Sequence, residues 1–310
     1  MEIICDTLDF RAGQKTALAI GKFDGLHIGH LQLLSHILRR KGQGFLATAF
    51  TFHPSPAVFF GREKGKELTT RQEKRKLFEK MGIDLLVEFP LDQATAATPA
   101  EEFVKRYLAG QLQAGYIAAG ADVSFGSQGR GDRELLQRLS ADFGYQVQII
   151  DKVYYKGREV SSTFVRDQVE AGNMDMAWKL LGRPYSFEGQ VAPGNRLGRR
   201  LGMPTLNLYP REEKLLPPMG VYYSRVSFEG RCCPGITNIG QKPTVNETKA
   251  VSVETYLYDF GEDMYGKEIV TELLQFKRPE MKFKDVGELK AQMEQDIAQG
   301  RQFHNRRKDK

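Results

Sequence analysis

Thr16-Ala17-Leu18-Ala19-Ile20-Gly21-Lys22-Phe23-Asp24-Gly25-Leu26-His27-Ile28-Gly29-His30 decides the fold of the first half of the chain. An apolar run of strand length, Thr16 to Gly21, turns through a glycine-punctuated loop. It then enters a helix near Gly29, in which Leu31, Leu34, Ile37 and Leu38 recur at helical spacing up to Lys41. Gly44 to Phe52 reads as the next buried strand and completes a β-α-β unit. Thr70-Arg71-Gln72-Glu73 is a capping box that opens a helix through Met81, followed by strand-like Ile83 to Phe89. Thr98 offers a further cap, with Pro99 at the first helical position and Glu101 three after the cap, ahead of Phe103, Val104, Tyr107 and Leu108. Tyr116 to Gly120, a helix over about Asp132 to Phe143 and a strand over Tyr145 to Asp151 continue the alternation. This order predicts a doubly wound, mostly parallel sheet with helices on both faces, whose ligands bind beyond the C-terminal strand ends.

After Val160 the rhythm changes. Ser162 to Ala171 and Met174 to Leu181 read as helices, and Gly182-Arg183-Pro184 closes them, so the domain border is set at 183/184, giving domains 1–183 and 184–310. Phe187 to Val191, Gly220 to Phe228, Arg231 to Asn238, Val251 to Phe260 and Glu268 to Phe276 are extended segments divided by Gly, Pro and Asn turns. Strands without intervening helices predict a small antiparallel β-barrel. A last amphipathic helix, Asp285 to about Gln299, spaces Leu289, Met293 and Ile297 to lie along the barrel's outside.

With 310 residues and 41% hydrophobic content, the chain has material for two cores. It contains no apolar run of membrane-spanning length, no secretory start and no lipidation box, so the expectation is a soluble cytoplasmic protein with no membrane partner. Cys5, Cys232 and Cys233 form no C-x-x-C pair, which argues against a disulfide framework or a zinc site. The net charge of +6 favours anionic partners, phosphorylated small molecules or nucleic acid alike. Arg306-Arg307-Lys308-Asp309-Lys310 reads as a frayed, solvated tail rather than a nucleic-acid arm.

Gly21, Gly25 and Gly29 stand where backbone must approach a ligand, and the helix amides that follow can receive phosphate oxygens. His27 and His30, three apart, share a face of the first turn and can both bond a polyphosphate, stabilising charge on a leaving pyrophosphate. Ordinary polar capping by the two histidines is the bland alternative. Ser161, Ser162 and Thr163 place hydroxyls at a helix start with Arg166 one turn in, a phosphate grip if not a routine cap. Further on, Gly194 to Asn207 combines glycines, cations and a Thr-x-Asn pair, so Thr205 and Asn207 point to one face of a strand. A hydroxyl and an amide carbonyl are hard donors suited to Mg²⁺ with ATP phosphates, yet on spacing alone a Gly-rich hairpin leading into an edge strand is slightly favoured.

Taken together, the early H-x-G-H turn and the late S-S-T-x-x-R helix start resemble the nucleotidyltransferase superfamily. The series Gly21-x-Phe23-Asp24-Gly25-x-His27-x-Gly29-His30, Gly120 to Gly126 and Ser161-Ser162-Thr163-x-x-Arg166 is similar to the adenylyltransferase half of bacterial FAD synthetase. Gly198 to Asn207, with Gly198, Gly202 and Pro204, resembles the riboflavin kinase signature, and Thr237 to Val245 and Val253 to Leu257 follow in that family's order. The resemblance implies a Rossmann-like nucleotidyltransferase domain that adenylylates FMN to FAD, and a β-barrel that phosphorylates riboflavin to FMN. ATP and Mg²⁺ would serve both. It further implies that Asp122, Phe125 and Gly126 belong to the flavin pocket and that Glu254 is the base that takes the ribityl proton. Val123 replaces a usual aromatic, and Ser55 in Thr51-Phe52-His53-Pro54-Ser55-Pro56 stands where the family tends to have His. Two rivals stay open: a riboflavin kinase with a weak adenylyltransferase half, and a flavin-responsive nucleic-acid-binding regulator.

Overall fold

Strands β1 (Glu2–Cys5), β2 (Thr16–Ile20), β3 (Leu46–His53), β4 (Leu85–Pro90), β5 (Ala114–Gly120) and β6 (Gln146–Ile150) form one sheet in the order β1-β4-β3-β2-β5-β6, parallel throughout. They belong to the first of two compact units, Met1–Ser162 and Thr163–Lys310. The structure is a computed structural model and describes residues 1–61, 65–194, 198, 201–243 and 249–308.

Between the strands run α1 (Ile28–Leu38), α2 (Pro56–Phe59), α3 (Arg71–Met81), α4 (Gln93–Ala96), α5 (Ala100–Phe103) and α6 (Arg133–Phe143). A small hairpin, β7 (Tyr154–Tyr155) with β8 (Arg158–Glu159), follows the sheet. Period-two alternation divides the strand residues between two cores. Ala17, Ala19, Ala47, Ala49 and Leu86 pack under Leu34 and Ile37 of α1 and Phe78 of α3. Leu18, Ile20, Phe50 and Val87 pack on the other side with Phe103, Leu108, Leu136 and Leu139. In that second core the rings of Phe50, Phe52, Phe89, Phe103, Tyr107 and Phe125 form a contact chain, with centroids 4.7 to 6.1 Å apart. The doubly wound expectation therefore holds. Because β2 lies between β3 and β5, the winding reverses beside β2, and the crevice at its C-terminal end is the topological switch point.

Two local readings change. Edge strand β1 escaped the sequence because the four residues Glu2-Ile3-Ile4-Cys5 are too few to show a period. Thr98 does not cap the next helix: it starts at Ala100 after Pro99 with no side-chain cap, and the Thr98 carbonyl instead accepts from Ser127 N at 2.7 Å. From Val104 to Gln111 the helix continues in wider turns and ends with Leu112 N on Tyr107 O at 2.9 Å. The Thr70–Glu73 capping box is present as read.

The second unit holds α7 (Ser162–Glu170, its first residue being the last of the first unit), α8 (Met174–Leu181), β9 (Tyr185–Gln190), β10 (Thr205–Leu208), β11 (Gly220–Phe228), β12 (Arg231–Pro243), β13 (Lys249–Leu257), β14 (Glu268–Pro279) and α9 (Val286–Lys308). By packing, the division thus falls at Ser162/Thr163, ahead of the 183/184 border read from sequence. The strands form an antiparallel sheet in the order β10-β13-β12-β11-β14-β9. Its edges meet where Ala192 N, just past β9, donates to Asn207 O of β10 at 2.9 Å, which curls the sheet into the expected barrel.

Inside the barrel lie Tyr222, Val226, Ile239, Val253 and Leu273, with a hydroxyl cluster in which Thr237 Oγ1 donates to Ser224 Oγ at 2.7 Å and lies 2.8 Å from Thr255 Oγ1. The alternate residues Val221, Tyr223, Ile236 and Tyr256 face outward and meet Ile297 and Phe303 of α9. That helix runs on to Lys308, so Arg306 and Arg307 are helical rather than frayed. Arg307 Nη2 donates to Asp175 Oδ1 at 3.3 Å, and its guanidinium lies 4.9 Å from the Trp178 ring centroid. Apolar packing of the Arg stem and ring stacking outweigh end fraying here.

Helix α3 is pinned to the sheet by charge. Arg71 Nε and Arg75 Nε donate to the two oxygens of buried Glu88 on β4, at 2.7 and 2.9 Å. Burial alone would raise the Glu88 carboxyl, but the forks of Arg75 and Arg71 outweigh it and hold it below the ordinary carboxylate range. Its stabilisation is therefore full above the unfolded value of about 4.3 and is lost as pH falls through the lower folded value. Glu88→Gln is expected to cost about 1–3 kcal/mol at neutral pH. The difference from the unaltered protein shrinks toward zero as pH falls through the lowered folded value, as followed by urea unfolding with circular dichroism.

Candidate active sites

At the switch point, β2 ends and the chain turns through Phe23, Gly25 and Leu26, all in the left-handed region with φ of 52°, 77° and 45°. Two such residues without glycine's freedom need external support. Phe23 has it from Phe78 and His30, whose rings meet its own edge-on at 5.4 and 5.3 Å. The turn is further tied to the segment before α3, since Asp24 Oδ1 accepts from Leu68 N at 2.9 Å and Thr69 N at 3.4 Å, and Gly25 N donates to Thr69 Oγ1 at 3.1 Å. A third stretch joins when Ser162 Oγ donates to Asp24 O at 3.0 Å. The structure thus brings Gly21, Phe23, Asp24, Gly25, His27, Gly29, His30 and Ser162 together; Thr163 and Arg166 follow along α7 in the second unit.

His27 is the N-cap of α1, its Nδ1 accepting from His30 N at 3.4 Å, and the two imidazoles stack with centroids 3.7 Å apart. A Cβ on Gly29 would lie 3.2 Å from the His27 ring and 3.7 Å from Val160 O, so glycine there lets the histidine and the 160–162 segment close in. Burial, then the neighbouring His27 and Lys74, lower the His30 pKa well below 6.5, and among the described residues its Nδ1 is buried without a partner. The neutral ring can still donate one N–H to a phosphate oxygen.

The loop after β5 flanks the same crevice. Asp122 is exposed and pairs with Lys152 at 3.3 Å. Phe125 is buried in the aromatic core, with its backbone paired to Gly131. Gly126, at φ 69°, leaves no room for a side chain, because a Cβ would come within 2.6 Å of Ala100 Cα. Ser55 Oγ accepts from Val58 N and caps α2.

On the barrel, β10 pairs with β13 so that Asn207 lies directly opposite Glu254 and Thr205 opposite Tyr256. Asn238 of β12 pairs with Glu254 from the other side. Thr205, Glu254, Tyr256, Asn238, Ile236 and Arg278 line a cavity of about 260 Å³ whose other wall is Leu289, Met293 and Ile297 of α9. Asn207 is buried and its Nδ2 donates to Thr205 O at 3.2 Å, while Ser252 Oγ donates to Glu254 Oε1 at 3.2 Å. A Cβ on Gly194 would strike the Asn207 amide at 2.5 Å, and one on Gly198 would strike Met203 O at 2.4 Å, so the loop hugs the strand. Gly202 turns at φ 81° and Pro204 is exposed just before Thr205. Asn195 to Leu197, Arg199, Arg200 and Thr244 to Thr248 lie outside the described residues.

Three acidic or basic groups escaped the sequence reading. Buried Asp296 of α9 takes two donors from Arg278, Nε at 3.0 Å and Nη2 at 2.6 Å, and fastens the helix over the cavity. Glu280, also lining the cavity, lies against Gly240. Lys74 lies buried on α3 beside the first turn. Each acts on residues distant in sequence, so no local motif marks it.

Known proteins assign both units to phosphate-transferring enzymes. The FAD synthetase family matches residues 10–164 and the riboflavin kinase family residues 181–304. Bifunctional riboflavin kinase/FMN adenylyltransferases from Listeria monocytogenes and Bacillus subtilis are 34% and 31% identical, covering 94% and 95% of this chain and 93% and 94% of theirs. A crystal structure from Streptococcus pneumoniae, titled a macrolide-efflux protein, superposes with a TM-score of 0.82 at 27% identity, over 93% of this chain and 94% of that one. Among the described residues, no helix is long and apolar enough to cross a membrane. The chain belongs to the bifunctional riboflavin kinase/FMN adenylyltransferase family.

The His30 environment gives a measurable consequence. Its ring proton should titrate well below the ordinary imidazole midpoint of about 6.5 in NMR spectra of the free protein. The stability gained by keeping it neutral is present above that midpoint and fades as pH falls through the folded value. A midpoint at or above 6.5 would contradict the buried, neutral ring described.

Proposed function

We propose that the chain makes FMN from riboflavin and ATP on the barrel and FAD from FMN and ATP at the sheet's switch point, as two separate sites. The functional border is taken at 183/184, with kinase residues after it. The observation that carries the reading is the β10–β13 register, which sets Asn207 opposite Glu254 beside the 260 Å³ cavity.

In the kinase reaction, the ribityl 5′-oxygen forms a bond to the ATP γ-phosphorus as the β–γ bridge breaks and ADP leaves. Glu254, on the cavity wall, is the general base that takes the hydroxyl proton. The donor set of Thr205 hydroxyl and Asn207 amide oxygen fits Mg²⁺, since both are hard oxygens on one strand face with a carboxylate opposite. When bound there, the ion would offset phosphate charge. Gly198, Gly202 and Pro204 keep the preceding loop close to that strand so its backbone can approach phosphates. The apolar side of α9 excludes water from the flavin.

At the switch point an FMN phosphate oxygen attacks the ATP α-phosphorus, and the α–β bridge breaks to release pyrophosphate. The protein's part is alignment and charge compensation. His27 and His30 donate to the polyphosphate; Gly21, Phe23, Gly25 and Gly29 shape the turn; Asp24 holds its backbone. Ser161, Ser162, Thr163 and Arg166 supply hydroxyls and a guanidinium fork to phosphate, with Mg²⁺ again on ATP. Asp122, Phe125 and Gly126 build the flavin side of the crevice. The substrates are small molecules, with neither nucleic acid nor membrane as partner, and the work is cytoplasmic, where ATP is supplied. The docking of Arg307 on Trp178 supports this, because it engages one of the few clustered cations in packing.

One observation favours a weaker adenylyltransferase: Ser55 caps α2, where the family tends to have histidine. Feeding FMN and ATP to the purified protein decides it, and absence of FAD alongside active riboflavin phosphorylation selects the rival. For the two-site reading, Asn207→Asp or Glu254→Gln should lower FMN formation on the order of a hundredfold or more while supplied FMN is still adenylylated. His30→Ala should do the reverse. A single change that abolished both activities in a folded protein would refute separate sites.

A further inference from the structure

Helix α3 presents Arg71, Lys74 and Arg75 within little more than one turn. The two arginines are engaged by Glu88. Lys74 is not: its residue is 8% exposed, and no ion pair among the described residues reaches its ammonium. An ammonium whose stem is packed away and whose charge meets no carboxylate is placed to receive an anion from the solvent side.

Its position is fixed by packing. Lys74 and Phe78 are four apart and share a face of α3. Phe78 meets Phe23, and Phe23 also meets His30. The segment leading into α3 is bonded to Asp24 and Gly25 through Leu68 and Thr69, so the helix and the glycine turn move as one piece. His30 follows β2 and His53 ends β3, and these strands are neighbours at the switch-point edge of the sheet. Burial is the largest cause lowering each imidazole, and the Lys74 charge adds to it in both. Through Phe78 and Phe23 the Lys74 face of α3 is thus packed toward His30, whose buried Nδ1 lacks a partner among the described residues.

We propose that Lys74 is a phosphate-binding residue of this site, its ammonium meeting the part of the ATP polyphosphate that departs as pyrophosphate. The assignment rests on the adenylyl-transfer reading given above. A compact ammonium suits a point contact with a phosphate oxygen whose orientation changes as the bridge breaks, whereas Arg71 and Arg75 serve as planar forks on a carboxylate. Arrival of the polyphosphate would supply the missing counter-charge and draw the neighbouring imidazoles toward their protonated forms.

The test uses the full chain, with pyrophosphate and ATP as probes. Lys74→Met is expected to weaken pyrophosphate binding, read by calorimetry, by about tenfold or more, and to raise KM for ATP in FAD formation by a larger factor than it lowers kcat. Lys74→Arg should recover most of the loss, which a purely structural lysine gives no reason to expect of pyrophosphate affinity. The His30 midpoint should rise toward 6.5 in Lys74→Met, and riboflavin phosphorylation in the same samples should stay unchanged. Unaltered pyrophosphate affinity in Lys74→Met overturns the proposal. Absence of both pyrophosphate binding and FAD formation in the unsubstituted protein instead overturns the site reading beneath it. If Lys74→Met loses its helical circular dichroism, Lys74→Gln and reductive methylation of the unsubstituted protein take its place. ATP must then protect Lys74 from methylation in mass spectra, and equal labelling with and without ATP refutes the contact.

Discussion

Asp24 holds three stretches of chain at one point. Its carboxylate receives amides from Leu68 and Thr69, and its carbonyl receives the Ser162 hydroxyl, although these partners lie far along the sequence. A turn with Phe23 and Leu26 in the left-handed region would not keep its shape unaided. Hydrogen bonds from backbone amides to a carboxylate are among the stronger contacts available, and here they come from the segment that starts α3. The consequence is a rigid mount: the histidines of α1, the first turn of α3 and the Val160–Ser162 segment share one frame. Catalysis by positioning requires such a frame, since misplacing charge by an ångström removes most of its effect.

The barrel solves the same problem differently. Strand alternation sends Tyr222, Ser224, Thr237 and Thr255 inward, where the hydroxyls satisfy one another, and leaves Val221, Ile236, Asn238 and Glu254 facing out. The working face is thus the outside, and it becomes a cavity only because α9 covers it. The Arg278–Asp296 pair fastens that helix over the polar end of the cavity, while Ile297 and Phe303 fasten it over apolar ring surface. An apolar wall on one side and a row of oxygen donors on the other is the arrangement that an amphipathic flavin alcohol requires.

Much of this was legible in the chain because it is local. The glycine turn, the Thr70–Glu73 box, the alternation of strands and helices, and the Thr205–Asn207 spacing all depend on neighbours within a few residues. What escaped depends on distance. Strand β1 is too short to announce itself, and its place is fixed by pairing with β4, which begins far along the chain at Leu85. Thr98 does not cap because the helix starts one residue later, with Pro99 in the cap position, while the Thr98 carbonyl is tied to distant Ser127. Arg307 looked like a solvated tail until Trp178 and Asp175 gave it a surface. Asp24 stands within the glycine-turn motif, and its carboxylate faces amides from the α3 approach, a pairing that no spacing rule announces.

Charge placement on α3 shows why local composition misleads about chemistry. Arg71, Lys74 and Arg75 lie along one face of α3, and helical periodicity alone would give them one role. Folding separates them. Arg71 and Arg75 converge on Glu88, whose burial would otherwise force its carboxyl toward neutrality, so those three groups cancel and contribute rigidity. Lys74 also shares that face with Phe78, four residues on, and the aromatic contact of Phe78 to Phe23 carries it toward the glycine turn. The positive charge that remains near His30 is therefore that of the residue packed beside the turn. A sheet whose winding reverses at β2 concentrates strand ends and helix starts at that spot, and the fold sets Lys74, a cation that no ion pair among the described residues engages, on the helix that packs beside them.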